Sequence, residues 1–390
     1  MRYDFDTPID RRETASIKWD FSKRFTGLEN LIPLWVADMD FPACAEVIEA
    51  LKHRADHGVF GYTLEPESYY QAVIDWMKRR HCWEVRRGWM LSAPGVVPSL
   101  NLALSAYSQP GDGVIIQPPV YYPFKESIIN NSRRVAENPL ILEGDCYTMD
   151  FDQLEELIDG RTRLLILCSP HNPVARVWLK EELERLVEIC LRHNIVILSD
   201  EIHHDLILEG SRHIPTASLS RQAAGITVTL TSATKTFNLA GLGCSIVIAS
   251  DKQLRDRYRC AQASIWTGIA NALSAVATET AYRCGESWLE QVLEYVQGNY
   301  SFLVSYLGER LPEARVFPLE GTYLAWLDLR ALGLSDEELK ERILKQARVW
   351  LDDGPMFSTG GEGFQRINLA CPRSTLNKAL EAMVQALGSA

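Results

Sequence analysis

A single lysine, Lys235, lies in a setting that favours covalent chemistry with a carbonyl compound. It stands among small and hydroxylated residues in Ser232-Ala-Thr-Lys-Thr-Phe-Asn-Leu-Ala-Gly-Leu242, just after the apolar run Ile226–Leu230, which reads as a buried strand. Lysine is rarely buried without a partner, so a lysine at the end of such a strand needs a chemical reason. A desolvated lysine amine is nucleophilic and can form a Schiff base with an aldehyde. Taken alone, Lys235 would be interpreted as an exposed loop lysine, so other residues must decide.

Two further polar residues are predicted to lie at the same edge of a parallel sheet as Lys235. The apolar run Ile195–Leu198 leads through one serine to Asp200, and the strand-like run Arg163–Cys168 leads into Asn172. In open α/β sheets, ligands bind outside the carboxyl ends of the strands. An amide, an acid and an amine are therefore expected to meet a ligand at that edge.

The order Asn172, Asp200, Lys235 resembles the pyridoxal-phosphate site of aspartate-aminotransferase-like enzymes. The resemblance implies that the lysine forms a Schiff base with the cofactor, that the aspartate pairs with the protonated ring nitrogen, and that the asparagine donates to the phenolate oxygen. It also implies an α/β fold of the aspartate-aminotransferase type (fold type I). In that fold a large domain is built on a mainly parallel seven-stranded sheet, and a small α+β domain packs beside it.

Motifs along nearly the whole chain resemble one branch of that superfamily, the MalY/PatB cystathionine β-lyases and cystalysin-like C–S lyases. The motifs that carry the likeness are Ile9-Asp-Arg-Arg, Lys18-Trp-Asp, Trp35-Val-Ala-Asp-Met-Asp-Phe41, Val59-Phe-Gly-Tyr-Thr, Ala93-Pro-Gly-Val-Val-Pro98, Pro118-Pro-Val-Tyr-Tyr-Pro123, Cys168-Ser-Pro-His-Asn-Pro, Ser199-Asp-Glu-Ile-His, Gly321-Thr-Tyr-Leu-Ala-Trp and Phe364-Gln-Arg-Ile-Asn. The likeness implies pyridoxal phosphate as cofactor and an amino acid with sulfur at Cβ as substrate. The implied reaction is α,β-elimination to pyruvate, ammonia and a thiol.

The phosphate group of the cofactor is expected at the start of a helix. Gly95, Val96 and Val97 precede a helical pattern, and backbone N–H groups at a helix N-terminus bind anions. Without the resemblance, this glycine would be read as a plain turn. The resemblance further implies that Ser232 adds a hydroxyl and that Tyr62 reaches the phosphate from the neighbouring subunit, which makes the protein a homodimer with shared active sites.

The cofactor ring is expected to stack on Tyr121 and to be contacted by His203, although a tyrosine packed in the core is the commoner arrangement. His203 and His204 also raise the possibility of a metal site. No third ligand lies at a suitable spacing, so no metal is predicted and His204 is taken as structural. Ala175 stands where relatives often have glycine.

Arg366 is predicted to bind the α-carboxylate of the substrate. It lies in Phe-Gln-Arg-Ile-Asn, where alternation points its side chain away from Ile367, and a guanidinium matches a carboxylate bidentately. A surface salt bridge is the alternative for an arbitrary arginine. Ala37 is expected to lend backbone near the same carboxylate, and Tyr122 to face the substrate or the wall of its pocket.

The length, net charge, apolar runs and cysteine content of the chain disfavour several classes of protein. A chain of 390 residues with a net charge of −11 predicts two domains and disfavours nucleic acid or an anionic membrane as partner. No apolar run approaches the roughly 18–20 residues of a membrane helix, and the first residues have no signal-peptide core. Nine cysteines without a C-x-x-C pair indicate reduced thiols, and a cytoplasmic location is expected.

Helical patterns alternate with short apolar strands from about residue 45 to 249, which predicts βαβ units and a mainly parallel sheet. Residues 46–285 are predicted to form the large cofactor-binding domain. Residues 286–390 are predicted to form the small domain, which the N-terminal segment 1–45 joins.

Two other functions stay open at this point. An aminotransferase would share the early chemistry and then reprotonate the cofactor, and a cofactor-bound regulator would do little chemistry. The chain has no added helix-turn-helix segment or basic arm, which disfavours a DNA-binding regulator. Among lyase substrates, cystathionine, cysteine, cystine and other S-conjugates remain candidates, and pocket walls near Tyr122 and Met356 are expected to decide between them.

Overall fold

The structure is a computed structural model that describes residues 2–268 and 270–388. Two sheets organise this part of the chain, a seven-stranded sheet and a four-stranded sheet, together with two short two-stranded pairings. The strands are β1 (Ile32–Pro33), β2 (Met90–Ala93), β3 (Gly113–Ile116), β4 (Arg134–Glu137), β5 (Ile141–Glu143), β6 (Cys146–Thr148), β7 (Thr162–Cys168), β8 (Val196–Asp200), β9 (Thr227–Thr231), β10 (Ser245–Ile248), β11 (Arg315–Val316), β12 (Leu324–Asp328), β13 (Val349–Trp350), β14 (Asp352–Asp353) and β15 (Phe364–Asn368).

Helices cover both faces of the larger sheet and surround the smaller one. They are α1 (Ser22–Thr26), α2 (Ala45–Asp56), α3 (Glu67–His81), α4 (Val96–Tyr107), α5 (Pro123–Asn130), α6 (Phe151–Leu157), α7 (Lys180–Arg192), α8 (Arg221–Ile226), α9 (Ala233–Thr236), α10 (Lys252–Ser264), α11 (Ala272–Cys284), α12 (Glu286–Arg310), α13 (Asp336–Lys340) and α14 (Arg373–Leu387). In the described part of the chain, no helix combines the length and the apolar character that a membrane crossing requires.

The seven-stranded sheet has the order β2-β10-β9-β8-β7-β3-β4. Five neighbouring strands, from β9 to β4, run parallel, and β10 is antiparallel to both of its neighbours. This confirms the mainly parallel sheet predicted from the alternation of helical and apolar segments, and it agrees with the seven strands that the family resemblance implies. The register places Cys168 of β7 opposite Asp200 of β8, so the two strands end at one edge.

The long apolar runs of this sheet are explained by burial on both faces. Leu165, Leu167 and Ile197 pack in one hydrophobic cluster, whereas Leu164 and Ile166 pack in another on the opposite face. Successive residues of a strand point to opposite faces, so a strand covered by helices on both sides is apolar throughout. The sequence pattern and the layer arrangement therefore agree.

The four-stranded sheet is antiparallel with the order β11-β12-β15-β14. Arg366, in the middle of β15, lies between Trp326 of β12 and Asp352 of β14. β1 pairs in parallel with β13, which places Pro33 beside Trp350. The N-terminal segment thus contacts the C-terminal part of the chain, while the domain boundaries near residues 45 and 285 remain predictions.

Candidate active site

A cavity of about 250 Å³ lies at the carboxyl edge of the seven-stranded sheet. We call it the cofactor cavity. It brings together most of the residues that the sequence singles out, namely Ala37, Gly95, Val96, Val97, Tyr121, Asn172, Asp200, His203 and Lys235. Its other lining residues are Pro94, Pro98, Cys168, Ile202, Thr234, Ala240, Gly243 and Cys244.

Lys235 lies in the single turn of α9, directly after β9. Its side chain lines the cavity, and its Nζ donates to the carbonyl oxygen of Ala37. Loss of hydration at this site is the main reason that the pKa of the lysine falls to about 8. The nearby Arg366 guanidinium also lowers this pKa, whereas the carboxylates of Asp38 and Asp200 raise it. About a tenth of the lysine is therefore a neutral amine at pH 7.

Asp200 ends β8 and is buried, with 4% of its surface exposed. Its Oδ1 accepts a hydrogen bond from the backbone N–H of Ile202 at 3.1 Å, and it forms no ion pair with any residue that the structure describes. Burial raises the pKa of this carboxyl to about 7, against the partial opposition of that hydrogen bond. The site thus contains a carboxylate that lacks a cation.

Arg366 is held in place by three groups. Its Nη1 donates to Asn172 Oδ1 at 2.8 Å, its Nη2 donates to the Trp35 carbonyl at 2.8 Å, and its guanidinium forms an ion pair with Asp352. Burial raises the pKa of the Asp352 carboxyl to about 6, although the arginine opposes this change. Asp352 was not predicted as a site residue, because it follows a short strand and no motif marks it.

The adjacent tyrosines face different spaces. Tyr121 lines the cofactor cavity, whereas Tyr122 lines a different cavity next to it. Their ring centroids are 5.3 Å apart. Burial raises the pKa of Tyr121, so its hydroxyl stays protonated.

His203 is buried beside Tyr323, with the two rings edge to face at 5.9 Å. Burial and the positive charges of Lys235 and Arg366 lower the pKa of His203 well below its usual value, so it is neutral. Its Nδ1 has no hydrogen-bond partner in the described ranges. A neutral imidazole at the cavity wall can accept or donate one further hydrogen bond.

The residues predicted to bind the phosphate have two different settings in the structure. Gly95 precedes α4, and Val96 and Val97 form its first turn at the cavity wall, where N–H groups have no partner within the helix. Ser232 instead caps α9, because its Oγ accepts from the Thr234 N–H at 3.1 Å and donates to the carbonyl of residue 244 at 2.7 Å. Thr234, which was not predicted, lines the cavity, and the phosphate role of Ser232 remains a prediction.

Tyr62 lies away from the cofactor cavity of its own chain and is 89% exposed. Its neighbours Phe60 and Leu64 are also largely exposed, and Thr63 pairs with Ala270. An exposed apolar strip of this kind is typical of an interaction surface.

Two asparagines hold the segment that passes over the lysine. Asn238 donates from Nδ2 to the carbonyls of Met39 and Phe41 at 2.9 and 2.8 Å. Asn368 donates to the carbonyls of Val36 and Asp38 at 2.8 and 2.7 Å. Asn238 lies three residues after Lys235, and Asn368 lies two residues after Arg366. This closeness in the sequence was the only signal that could have identified the two asparagines.

A buried charge cluster fixes the same segment from its other side. Lys18 is fully buried and pairs with Asp40 at 2.8 Å and with Asp38 at 3.4 Å. Arg11 also contacts both carboxylates, at 2.8 Å for Asp38 and 2.7 Å for Asp40. Such buried charges are stable only when they are paired, so this cluster ties the N-terminal segment to the lysine.

His204 has partners that the sequence spacing did not reveal. Its Nε2 lies 3.0 Å from an oxygen of Asp205, and His81 from α3 hydrogen-bonds the other oxygen at 2.7 Å. These three groups lie close enough to hold a metal ion, whereas His203, the other histidine of the pair considered in the sequence, is not among them. Burial lowers the pKa of His81 to about 4, and the Asp205 carboxylate raises the pKa of His204 against the effect of burial. The Asp205 carboxylate thus favours the charged form of His204.

Ala175 adopts the left-handed conformation, with φ of 62°. The turn after Asn172 therefore keeps a geometry that suits glycine, although alanine occupies it. The hydrogen bonds from the N–H groups of residues 320 and 321 to the Ala175 carbonyl, at 3.2 and 3.0 Å, hold the turn in place.

The cavity fits the cofactor that the resemblance implies. A protonated pyridine nitrogen would supply the cation that Asp200 lacks. The Nδ2 amide of Asn172 lines the cavity and donates to none of the described acceptors, so it is available to a ring oxygen. The N-terminus of α4 at the cavity wall suits a phosphate.

Comparisons with known proteins agree with this site. The sequence model of the aminotransferase class I and II family matches residues 29–383. The chain is 42% identical over 384 residues to cystathionine β-lyase PatB of Bacillus subtilis, covering 98% of this chain and 99% of that protein. The solved structure of cystalysin from Treponema denticola, which contains pyridoxal 5′-phosphate, superposes with a TM-score of 0.96 at 39% identity and covers 100% of this chain and 99% of its own. The pyridoxal-phosphate-bound C–S lyase of Staphylococcus hominis gives a TM-score of 0.93 at 33% identity over 99% of this chain and 98% of its own.

Proposed function

Since the chain belongs to the class I and II aminotransferase family, in the branch that contains PatB and cystalysin, we propose that it is a pyridoxal-phosphate-dependent carbon–sulfur lyase. Its substrates are L-cystathionine and other amino acids with a thioether or thiol at Cβ. The products are a thiol, pyruvate and ammonia, and one water molecule is consumed.

One observation carries this proposal. Three side chains of the types that the chemistry needs line one cavity, namely Lys235, Asp200 and Asn172, and a fourth, Arg366, donates to Asn172 on its wall at 2.8 Å. They come from four separate segments of the chain, and the tertiary fold brings them together. The resemblance to PatB over nearly the whole chain supports elimination over other reactions of this family.

Arg366 would bind the substrate carboxylate and orient the amino acid. Its guanidinium is fixed by Asn172, by the Trp35 carbonyl and by Asp352, so a bound carboxylate meets a rigid partner. Orientation of this kind lowers the barrier because less freedom is lost in the transition state. Asn172 therefore has two tasks, since its Oδ1 holds Arg366 while its Nδ2 remains available to the cofactor.

Lys235 would act as the base that removes the proton from Cα of the substrate. When bound, pyridoxal phosphate supplies an electron sink for the charge that this proton transfer leaves behind. The lowered pKa of the lysine makes the neutral amine accessible near neutral pH. Its contact with the Ala37 carbonyl keeps the amine at the wall of the cavity.

Pyruvate should form from L-cystathionine continuously, without any added keto acid. Elimination returns the cofactor to its starting form after each turnover, whereas transamination consumes it. The measurement is pyruvate per active site over time, followed with lactate dehydrogenase. If turnover stops near one equivalent and resumes only after a keto acid is added, the protein is an aminotransferase.

Covalent capture of the cofactor by the apoenzyme should accelerate as the pH rises towards about 8 and then level off. Only the neutral amine attacks an aldehyde, and the pKa of Lys235 lies at about 8 where an ordinary lysine has 10.5. At pH 7 the neutral fraction is therefore about 300-fold larger than for an exposed lysine. Stopped-flow absorbance between pH 6 and 9.5 would measure the rate, and a profile that still climbs steeply above pH 9 would contradict the assignment.

We also infer a homodimer with shared active sites. A cavity of about 430 Å³ adjoins the cofactor cavity and shares Pro94, Gly243 and Cys244 with it. Its wall includes Trp266, which is 76% exposed, and Ala270, which pairs with Thr63, next to Tyr62 of the exposed strip. A two-fold interface that buries this strip would bring the tyrosine of each protomer to the phosphate side of its partner's site.

Mixing two inactive variants should restore activity. In a hybrid of Lys235→Ala and Tyr62→Asp, one site carries both lesions and the other carries neither. Statistical exchange should therefore recover about 25% of the wild-type activity, because half of the dimers are hybrids with one intact site of two. Mixtures that stay inactive although hybrid dimers are demonstrated by mass spectrometry, or an active monomer in sedimentation, would exclude the shared site.

We propose a cytoplasmic location. None of the nine cysteines, all of which lie in the described ranges, forms a disulfide, and a reducing compartment is where such proteins occur.

We also retain residues 46–285 and 286–390 as the large and small domains. Limited proteolysis that cleaves near residue 285 would support that division.

A further inference from the structure

A third cavity, larger than the two already described, lies on the other side of Arg366 from the cofactor cavity and includes Tyr122 and Met356, near which the sequence predicts the walls that decide between substrates. Its volume is about 600 Å³, within the range of roughly 300–1,000 Å³ that is usual for small-molecule pockets. We call it the distal cavity. Its lining includes Trp35, Trp350, Phe25, Ile17, Met356 and Tyr122.

The Arg366 guanidinium lies between the two cavities. Its Nη1 donates at 2.8 Å to Asn172, on the wall of the cofactor cavity, and it pairs with Asp352, on the wall of the distal cavity. The neighbours Tyr121 and Tyr122 divide between the two cavities in the same way. An amino acid held by its carboxylate at Arg366 is thus at the junction, and its side chain can extend into the distal cavity.

The walls of the distal cavity are mainly apolar and aromatic. The rings of Trp35 and Trp350 stack with centroids 4.2 Å apart and planes at 15°. Phe25 lies against both, at 6.1 and 6.2 Å. Phe25, Ile17 and Met356 are 52%, 49% and 43% exposed although they are large apolar side chains, so the cavity mouth offers uncovered apolar surface.

The charged groups on the wall are already paired. Lys340 lies 3.4 Å from Asp353, and Lys345 lies 2.6 Å from Glu341. Asp352 is paired with Arg366. In the described part of the chain, no lining charge is left over for a charged group on the occupant.

We propose that the distal cavity binds the substituent on the substrate sulfur and selects bulky uncharged groups, aromatic ones above all. This rests on the proposed function, because the occupant is the part of the substrate that leaves as a thiol. Apolar walls stabilise such a group by removing its surface from water, and the stacked indoles add contacts to an aromatic ring. The preferred substrates are then S-aryl and S-arylalkyl conjugates of L-cysteine.

The direct test is binding without chemistry. The thioether acids 3-(benzylthio)propanoate and 3-(methylthio)propanoate carry the carboxylate and the sulfur substituent but no amino group, so they cannot react with the cofactor. Isothermal titration calorimetry on the holoenzyme should show that the benzyl compound binds roughly 30-fold more tightly. Equal affinities would overturn the inference.

A variant at the cavity mouth should reduce that advantage. In Phe25→Ala the ratio of the two affinities should fall by about fivefold, because the benzyl ring loses part of its apolar wall. The matched control is Ile129→Ala on α5, which removes an apolar side chain of similar exposure, 56%, that lines neither cavity. The control should keep the wild-type ratio, and a Phe25→Ala ratio equal to that of the control would overturn the inference.

Turnover separates this inference from the proposed function. S-benzyl-L-cysteine should exceed S-methyl-L-cysteine and L-cystathionine in kcat/KM by about tenfold or more. If neither these thioethers nor other S-conjugates give pyruvate while the benzyl acid still binds more tightly, the lyase function fails and the apolar cavity stands. If pyruvate forms but L-cystathionine is preferred and the two acids bind equally, the lyase function stands and the selectivity is wrong.

Discussion

Replacing Lys235 with alanine should reduce lyase turnover by at least about 10³-fold while the protein stays folded. A general base alone contributes roughly 10²- to 10⁴-fold, and in the proposed mechanism this amine would also bond to the cofactor. Folding should survive because the Ala37 carbonyl keeps a second donor, the Tyr323 hydroxyl at 3.0 Å. The measurement is pyruvate formed per active site with pyridoxal phosphate in excess, alongside a thermal melt of the variant.

Chemical labelling gives the matching positive result. Borohydride treatment of the native holoenzyme should attach the cofactor to the single peptide that contains Lys235. Lys252→Ala is the control, because that lysine is exposed on α10 and forms a surface ion pair with Asp256 at 2.5 Å. The control should keep both label and activity. Label on another lysine, or sustained turnover by Lys235→Ala, would show that the assignment is wrong.

Asp200→Asn should have the next largest effect, a fall in kcat/KM of roughly 10²- to 10⁴-fold. The cofactor nitrogen would lose its only carboxylate partner among the described residues, and leaving a buried charge unpaired costs about 3–5 kcal/mol. Asparagine has nearly the same volume, so the backbone contact from Ile202 at 3.1 Å can be kept. The visible absorbance of the bound cofactor, measured against pH, would report the change in ring charge directly.

The control for this variant is Asp152→Asn. Its side chain is 95% exposed and forms a surface ion pair with Arg185 at 3.2 Å, and such pairs contribute little. Activity and absorbance should stay at wild-type values. Should Asp200→Asn retain activity within about threefold of wild type, the ring nitrogen would need another partner and the proposed role of Asp200 would fail.

The strands and the residues at their ends were predictable from the sequence. Hydrophobic runs bounded by polar residues located β7, β8 and β9 to within two residues, and Asp200 does end β8. This works because side-chain alternation and burial are local properties of a strand. The parallel order of these strands then places Asn172, Asp200 and Lys235 at one edge without further information.

Hydroxyl partners were less predictable. Ser232 caps α9 with its hydroxyl and donates to the carbonyl of residue 244, partners that the sequence did not predict, while its role at the phosphate stays a prediction. A serine just before a helix can cap that helix or bind a phosphate, and the sequence looks the same in both cases. The position of the neighbouring loop determines which partners the hydroxyl has. The same limit applies to His204, whose contact with His81 joins residues 123 positions apart in two elements.

The sequence by itself determined the family, the type of sheet and the chemical groups at the site, because these follow from motifs and from local periodicity. Tertiary structure alone decided how those groups are held and what surrounds the substrate. Asp352 meets Arg366 across adjacent strands, and Trp35 stacks on Trp350 although 315 residues separate them. Contacts of this kind depend on how distant segments pack, and packing is a property of the whole chain that no short pattern encodes.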